Sequence, residues 1–228
     1  MTTEEKARSL VAEILGAEGS GHGMDHIDRV VKMALEFSKS EKCDEAKVAL
    51  IALLHDVDDY KLFGESAGKD LPNARKILSE LKISSQKQEE LINEIKRIGY
   101  SKRLDGIEPQ TIEGKLVSDA DMCEALGVTG IIRSHKYNLK HGGSFFDRNI
   151  WPAENDDAES YKARPVSTSV CHMFEKALHL PKYMLTNAGK LEAKKRYNAV
   201  ISFLYQFFDE QDVPEWKDYL DKFIKNNL

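Results

Sequence analysis

The 228-residue chain has the composition of an ordinary globular protein, with 41% hydrophobic and 31% charged residues. A formal net charge of −5 argues against the strongly basic balance of proteins that coat duplex nucleic acid or anionic membranes. Three cysteines without CxxC spacing indicate neither a disulfide framework nor a thiolate zinc site. The acidic N-terminus lacks the apolar region of a secretory signal, and no apolar run is long enough to span a bilayer. We therefore expect a cytoplasmic location and no membrane partner.

Helical spacing of apolar residues dominates the sequence, and no stretch alternates apolar and polar residues for long enough to indicate a sheet. Thr2 and Glu5 have capping-box spacing, which predicts the start of a first helix. Asp44 suits an N-cap, and Pro72 suits the first position of a helix. Besides the helices that start at Thr2 and Pro72, the predicted helices span about 24–41, 44–56, 84–99, 111–126, 128–140, 168–180, 187–209 and 214–226.

This pattern predicts one all-α domain over residues 1–228. The region with the candidate functional motifs lies at about 20–140, and the C-terminal helices at 168–226 are predicted to pack onto it. A single hydrophobic core is still workable at this chain length.

Residues 141–166 form the one long segment without helical spacing. The segment contains Gly, Pro and charges, but also Phe145, Phe146 and Trp151, which disordered linkers usually lack. We predict a packed lid or flap here rather than a linker between domains.

The strongest chemical signal is the pair His55–Asp56, which directly follows the uninterrupted apolar run Val48–Leu54. A helix that is apolar on every side is buried on every side, and an unpaired buried carboxylate costs several kcal/mol, roughly. A divalent cation would compensate, and His26 and Asp121, from two other helices, could complete its ligands. Imidazole and carboxylate together suit Mn²⁺, Fe²⁺, Co²⁺ or Mg²⁺ more than a closed structural zinc site. From spacing alone, a hydrogen-bonded structural cluster without metal remains the alternative.

The ordered set His26, His55–Asp56 and Asp121 resembles the H…HD…D signature of the HD-domain metal-dependent phosphohydrolases, in their small stand-alone bacterial branch of the YpgQ/YedJ type. The resemblance covers roughly residues 20–210 and extends beyond these four positions. Similar stretches are Leu53–Lys61, Glu113–Lys115, Asp119–Asp121, Leu126–Ile131, His172–Leu178 and Met184–Thr186.

The resemblance implies an HD-type helical bundle in which His26, His55, Asp56 and Asp121 hold one divalent metal. Mn²⁺ is the first expectation, with Mg²⁺, Fe²⁺ and Co²⁺ as alternatives. The extra His ligands that binuclear relatives carry just after the HD pair are missing here. The implied reaction is hydrolysis of a phosphate ester or anhydride bond by a metal-activated water.

The sequence leaves several substrate classes as alternatives. The resemblance favours a nucleotide, with pyrophosphohydrolysis or phosphohydrolysis of a (d)NTP first. A nucleotide monophosphatase or another nucleotide hydrolase is the alternative enzyme, and a non-catalytic metal- and nucleotide-binding sensor is the alternative from another class. We expect a small phosphorylated molecule as the partner, no nucleic-acid duplex, and a monomer or homodimer.

Two residues just after the HD pair are the candidate catalytic groups. Asp59 could orient or deprotonate the attacking water, and Lys61 could hold a phosphate oxygen. We prefer Asp59 over Asp58 because it lies four residues after His55 and would share its helical face. The alternative is a solvated helix end with mixed charges.

Five residues are candidate substrate contacts, each with a plainer alternative. His22 could face the substrate or simply be exposed, and Arg29 could reach a phosphate or pair with Asp25 on the surface. His172 and Lys176 belong to a cationic stripe that includes Ser169 and His179, and such stripes are often solvated faces. The resemblance favours substrate binding for these two residues. Arg133 belongs to a second basic group, which suggests an anionic substrate.

Asp119 and Asp121 lie two residues apart, about 200° around a helix, so both cannot point at one ion. Asp119 has the spacing to pair with Lys115 on an exposed face. We therefore assign the ligand to Asp121, where the resemblance also places it, and leave Asp119 as an outer support or a surface residue. Cys123 is interpreted as a packing residue rather than a nucleophile.

Overall fold

The computed structural model describes residues 2–16, 21–153, 159 and 168–227. No strand occurs among these residues, and the all-α prediction is confirmed. The helices are α1 Thr3–Leu15, α2 Met24–Ser38, α3 Glu45–Leu54, α4 Tyr60–Phe63, α5 Glu65–Asp70, α6 Pro72–Glu80, α7 Ser85–Ile95, α8 Tyr100–Leu104, α9 Ile112–Glu124, α10 Gly127–Lys140, α11 Ser169–Glu175, a 3₁₀ helix Ala177–Tyr183, α12 Asn187–Glu210 and α13 Pro214–Asn227.

The chain forms two compact units, Met1–Glu124 and Ala125–Leu228. The prediction of a single domain stays a prediction. Within the described part of the chain, no helix is both long enough and apolar enough to cross a membrane.

Helix α3 is the centre of the first unit. All seven side chains of Val48–Leu54 are buried, and α3 packs against α1, α2, α7 and α9. Burying a large aliphatic side chain contributes about 1.5–3 kcal/mol, so this helix is a main source of stability for the unit. The Asp44 side chain caps it, accepting hydrogen bonds from the amides of Ala46 and Lys47 at 3.0 and 3.2 Å.

Helix α9 packs against both α2 and α3 and is buried over most of its length. The buried Glu94 carboxylate accepts hydrogen bonds from the amides of Gln110 and Thr111, at 3.0 and 3.2 Å, just before the helix begins. Gly114 is required beneath it, since a Cβ there would lie 2.1 Å from Glu94 Oε2. The start of α9 is thereby fixed, and with it the position of the residues one to three turns later.

The second unit has an aromatic core around Trp216, which stacks on Trp151 at a ring-centroid distance of 4.3 Å. Trp216 also donates its indole N–H to the carbonyl of Arg148 at 3.1 Å. The amides of Ser169 and Val170 donate to the carbonyls of Ser144 and Phe145, both at 3.0 Å. The aromatic residues of the predicted lid therefore pack within this unit, although much of 141–153 is exposed, while 154–158 and 160–167 lie outside the described residues. A lid function stays a prediction.

Several predicted helix ends differ from the observed ends. The helix predicted to reach Asp56 ends at Leu54, and a turn follows. The helix predicted over 168–180 is broken at Lys176, whose backbone is not helical (φ −138°, ψ −62°), and a 3₁₀ helix containing Pro181 continues from there. Proline has no amide proton for an α-helical hydrogen bond, which favours the change of helix type.

Candidate metal centre

Two imidazoles face each other at the centre of the first unit. His26 lies in the first turn of α2, and His55 is the C-cap of α3. Their Nε2 atoms are 3.3 Å apart, and both side chains are almost fully buried. The packing of α2 against α3 brings these two residues together.

Two carboxylates border the same point. Asp56 Oδ2 lies 3.4 Å from Nε2 of His26, and Asp56 Oδ1 lies 3.6 Å from Nε2 of His55. Asp121 Oδ1, from α9, lies 3.5 and 3.8 Å from the same two nitrogens. The structure thus brings together all four residues that the sequence analysis assigned to the metal, and their role as ligands stays a proposal.

The charge state of the cluster follows from its contacts. Burial alone would raise the pKa of Asp56, but the imidazoles of His55, His22 and His26 hold it well below its usual range. Burial and the neighbouring Asp56 charge likewise oppose ionisation of Asp121, and its contacts with His26 and His55 nevertheless lower its pKa. Both carboxylates are therefore anionic near neutral pH, as metal ligands must be.

The tautomer of His55 is fixed by the backbone. Its Nδ1 lies 2.7 Å from the carbonyl oxygen of Ala52, which can only accept, so Nδ1 carries the proton and donates. Nε2 therefore faces His26 and the two carboxylates, and in the neutral form of the ring it presents a lone pair to them.

The donor set fits a divalent ion. Two ligand atoms at ~2.1 Å from a metal lie ~3.0 Å apart at a right angle and ~3.4 Å apart at a tetrahedral angle. The separations here, 3.3–3.8 Å, are close to that range. Nitrogen and carboxylate donors mixed in this way suit Mn²⁺, Fe²⁺, Co²⁺ or Mg²⁺.

A third carboxylate, Glu124, supports the cluster, and the sequence analysis missed it. Its side chain is 1% exposed, and Oε2 accepts a 2.6 Å hydrogen bond from Nε of Arg29 and lies 3.9 Å from Nδ1 of His26. Burial would raise the pKa of Glu124, but its contacts with His26 and Arg29 lower it to about 2. A sequence signal existed, because Glu124 follows Asp121 by three residues and lies one helical turn further on.

Arg29, a candidate phosphate contact, is engaged on both sides. Besides Glu124, it pairs with Asp25 through Nη1 at 3.2 Å, which is the salt bridge named as its alternative role. The contacts of Arg29 therefore favour a supporting role at the cluster over free phosphate binding.

The position of Asp119 corrects one expectation. The sequence predicts either an exposed face shared with Lys115 or a role as an outer support, but the side chain of Asp119 is fully buried. The spacing argument failed because α9 is covered on nearly all sides, so no solvent-exposed face exists at that position. The surface alternative for Asp119 is wrong.

A second group of ligand atoms adjoins the first. One ligand atom from each of His22, Asp56 and Asp59 lies within 4.8 Å of the others. His22 Nδ1 and Asp56 Oδ2 are 2.9 Å apart, a hydrogen-bonding distance. Asp59 does not share a helix with His55, since α3 ends earlier, yet the turn after Asp56 still brings it to this place. Its carboxylate also caps α4, accepting from the Lys61 amide at 2.7 Å.

Asp58, the rejected alternative to Asp59, has a structural role. Its carboxylate accepts hydrogen bonds from the amides of Asn73 and Ala74 at 3.0 and 2.9 Å, in the first turn of α6. Leu71, the N-cap of that helix, makes no side-chain cap, so Asp58 supplies it. Burial raises the pKa of Asp58.

The remaining candidates stay predictions. Lys61 is exposed, with Nζ 5.8 Å from the ring centroid of Tyr60. Arg133, His172 and Lys176 belong to the second unit and are partly buried, which disagrees with a fully solvated stripe. The stripe is also not continuous, because Ser169 is fully buried and the α-helix ends before Lys176.

Known proteins resemble this chain in sequence and in fold. The HD domain family model matches residues 23–126. An HD-superfamily hydrolase from Bacillus thuringiensis is 32% identical, with a TM-score of 0.68, over 92% of this chain and 96% of that one. A crystal structure from Lactobacillus plantarum has a TM-score of 0.80 and 29% identity over 92% and 96% of the two chains.

A third relative is YpgQ of Bacillus subtilis, which is 29% identical over 211 residues, 92% of this chain and 93% of YpgQ. The crystal structure of YpgQ in complex with ADP superimposes with a TM-score of 0.69 and 23% identity, over 93% and 99% of the two chains. The match over nearly the full length to an HD-superfamily hydrolase at 32% identity, together with the family match around the His/Asp cluster, establishes the relationship. The chain belongs to the HD-domain superfamily of metal-dependent phosphohydrolases.

Proposed function

We propose that the chain hydrolyses a phosphate bond of a nucleotide, with (d)NTPs as the first substrates, using one divalent ion held by His26, His55, Asp56 and Asp121. The main support for the proposal is that two imidazole nitrogens and two carboxylates converge on one point. The two Nε2 atoms are 3.3 Å apart, and each lies 3.4–3.8 Å from an oxygen of Asp56 and of Asp121. A divalent ion bound there, with Mn²⁺ as our first choice, would lower the pKa of a bound water molecule and neutralise negative charge on the phosphate.

Asp59 is the proposed general base for the attacking water. It is partly exposed, so water and substrate can reach it, and its carboxylate lies near His22 and Asp56. A base must lie within hydrogen-bonding reach of the proton that it removes, directly or through one water. Lys61, two residues on and exposed, is proposed to bind a phosphate oxygen.

His22 is proposed to act at the edge of the cluster. With a proton on Nδ1 it donates to Asp56 Oδ2 and so holds that carboxylate in place. Its partial exposure leaves the rest of the ring available to a substrate, which fits the contact expected from the sequence.

The nucleotide part of the proposal is supported by YpgQ, which was crystallised with ADP. It is also supported by the exposed cation of Lys61, since a triphosphate carries several charged oxygens for a metal and a lysine to share. A nucleotide monophosphatase and a non-catalytic sensor are kept as outcomes of the test.

The test is a panel of (d)NTPs, NDPs and NMPs incubated with the full chain and Mn²⁺. Chromatography identifies the nucleotide product, and separate assays measure phosphate and pyrophosphate. A (d)NMP with pyrophosphate indicates pyrophosphohydrolysis, and release of phosphate from an NMP indicates the monophosphatase.

Two controls make this test decisive. His55→Ala removes a proposed ligand and should abolish turnover, which excludes a contaminating phosphatase. If calorimetry shows a nucleotide bound with no product from any substrate, the enzyme proposal fails in favour of the sensor.

A further inference from the structure

The two proposed catalytic residues lie at the start of a segment that buries no side chain of its own. Residues 60–70 form the short helices α4 and α5, and among these residues, all of which the structure describes, no side chain is buried. The chain re-enters the core at Leu71, which is buried, and α6 begins at Pro72. The contacts at the two ends of this segment therefore have a large part in setting the positions of Asp59 and Lys61.

Hydrogen bonds join these two ends. The carboxylate of Asp58 accepts from the backbone amides of Asn73 and Ala74, at 3.0 and 2.9 Å, one on each oxygen. In return, Nδ2 of Asn73 donates to the carbonyl oxygen of Val57 at 2.9 Å. Val57, Asp58 and Ala74 are buried, so these bonds lie where water competes little for them.

We propose that Asn73 is a positioning residue for the hydrolysis. By holding the carbonyl of Val57, its side chain fixes the peptide between Val57 and Asp58, and with it the direction in which the next residue, Asp59, presents its carboxylate. Asn73 acts through Asp59 and not on the substrate. This inference rests on the proposed function, in which Asp59 is the general base.

The side chain of Asn73 makes a contact that its backbone does not replace. The bonds to Asp58 come from backbone amides, which remain after any substitution at position 73 except proline. The bond to Val57 comes from the side-chain amide, and Val57 is fully buried. A buried carbonyl that loses its donor is destabilised, and the backbone can relieve this by shifting toward another donor or water. Shortening Asn73 therefore frees the peptide that leads to Asp59.

A shift of this peptide reaches the proposed base directly. The amide of Asp59 donates to the carbonyl of Asp56 at 3.1 Å, and its carboxylate lies near those of Asp56 and the ring of His22. Misplacing a reacting group by ~1 Å can cost about 10²-fold in rate. Complete loss of the base is expected to cost about 10²-fold, so a partial misplacement should cost about 10-fold.

The proposed metal ligands should be affected much less. His55 and Asp56 precede the peptide that Asn73 holds, and each has a separate contact. Nδ1 of His55 lies 2.7 Å from the carbonyl oxygen of Ala52, and Asp56 Oδ2 lies 2.9 Å from Nδ1 of His22. A change in rate without a change in metal affinity is therefore the result that distinguishes a positioning role.

The main experiment compares Asn73→Ala with the wild-type chain, using the (d)NTP that the substrate panel shows to be hydrolysed fastest. Steady-state kinetics should show kcat lowered by about 10-fold. Calorimetry should show Mn²⁺ affinity within about 2-fold of wild type. A loss of kcat that is matched by an equal weakening of Mn²⁺ binding would place the effect on the metal ligands and overturn the inference.

Gln88→Ala is the matched control. It removes the same kind of bond in the same unit, since Nε2 of Gln88 donates to the carbonyl of Ile83 at 2.8 Å and both glutamine and Asn73 are partly buried. Each variant should lower Tm by about 2–4 °C. Gln88→Ala should nevertheless keep the wild-type kcat. Equal losses of kcat in the two variants would indicate general destabilisation and count against a role of Asn73 in positioning.

A double-mutant cycle tests whether Asn73 acts through Asp59. In an Asp59→Asn background the base is already lost, so adding Asn73→Ala should lower kcat by less than about 2-fold further. A further loss of about 10-fold would show that the two residues act independently, which contradicts the inference. If Asn73→Ala does not fold, Asn73→Ser replaces it with the same expectations, because the serine hydroxyl is too short to reach the carbonyl of Val57.

The outcomes separate this inference from the proposed function. A wild-type chain that hydrolyses no nucleotide overturns the proposed function and this inference with it. A wild-type rate in Asp59→Asn overturns the assignment of the base, and again the inference. If Asp59→Asn loses about 10²-fold and Asn73→Ala keeps the wild-type kcat, the role of Asn73 alone is overturned.

Discussion

Nε2 of His26 lies 3.3 Å from Nε2 of His55, although the two residues are 29 positions apart and come from α2 and the end of α3. Because the carbonyl of Ala52 accepts a hydrogen bond from Nδ1 of His55, the neutral form of that ring has its lone pair on Nε2, facing the other ring. A cation between the two rings and the neighbouring Asp56 and Asp121 satisfies all of these groups at once. Metal binding should therefore join α2, α3 and α9, and so contribute to folding as well as chemistry.

Removing the metal should lower the thermal stability of the protein. A ligand that binds only the folded state, at a free concentration of 100 times its Kd, adds about 2.7 kcal/mol to the free energy of unfolding. For a chain of this size that corresponds to about 5–10 °C in Tm. Calorimetric melting with EDTA should show this loss, and excess Mn²⁺ should restore it. His26→Ala is the control, since its Tm should not respond to either addition; identical curves for the wild type would refute the prediction.

Asp59→Asn and Lys61→Ala should each lower kcat by about 10²-fold while Mn²⁺ stays bound. Asparagine caps helices about as well as aspartate, so the hydrogen bond from the Lys61 amide and the start of α4 should survive. Steady-state kinetics with calorimetry checks both halves of this prediction. Asp58→Asn is the comparison: the amides of Asn73 and Ala74 donate to different oxygens of Asp58, and asparagine has only one carbonyl oxygen, so this variant should lower Tm with a smaller effect on kcat. Wild-type rates for Asp59→Asn and Lys61→Ala would instead indicate that both residues belong to a solvated helix end.

His172→Ala and Lys176→Ala should mainly raise KM if these residues of the second unit meet the substrate. A substitution that weakens binding of the substrate and of the transition state equally raises KM and leaves kcat unchanged. His141→Ala is a suitable control, because its exposed ring instead stacks on Tyr137 with centroids 4.1 Å apart. KM values equal to wild type in both variants would show that His172 and Lys176 do not bind the substrate.

The grouping of His26, His55, Asp56 and Asp121 depends on the packing of α2, α3 and α9, but two signals in the sequence predict it. The apolar run Val48–Leu54 predicts a buried helix, and a His–Asp pair at its end then needs partners. The order of the four residues along the chain resembles a known signature.

Other features depend on tertiary packing, which spacing does not report. Glu124 reaches His26 because α9 packs on α2, and Asp119 is buried because α9 is covered on nearly all sides. Asp59 was chosen for a helical face that does not exist, since α3 ends at Leu54. The turn that replaces the helix nevertheless brings its carboxylate near Asp56.

Acid should weaken the metal-free fold in part through Glu124. Its pKa in the folded state, about 2, lies below its usual value, so the folded protein favours the ionised form. The stabilisation is complete above the unfolded pKa, near ~4.3, and is lost as pH falls toward 2. Denaturant unfolding of the wild type and Glu124→Gln, with EDTA present, should show a stability difference that shrinks between pH 5 and pH 2. A difference that does not change with pH would contradict this expectation.

The choice between the two aspartates of α9 gives the sharpest test of the metal site. Asp121 Oδ1 lies 3.5 and 3.8 Å from Nε2 of His26 and His55, and its side chain is 22% exposed. Asp119 is fully buried, and it lies about 200° away around the helix.

We expect Asp121→Ala to abolish Mn²⁺ binding in a calorimetric titration while the metal-free protein still folds. Asp119→Asn should show the reverse: Mn²⁺ binding retained, and stability lowered by about 1–3 kcal/mol, because a buried carboxylate loses its contacts. Asparagine is used at 119 to avoid a cavity. Mn²⁺ bound by Asp121→Ala but not by a folded Asp119→Asn would reverse the assignment.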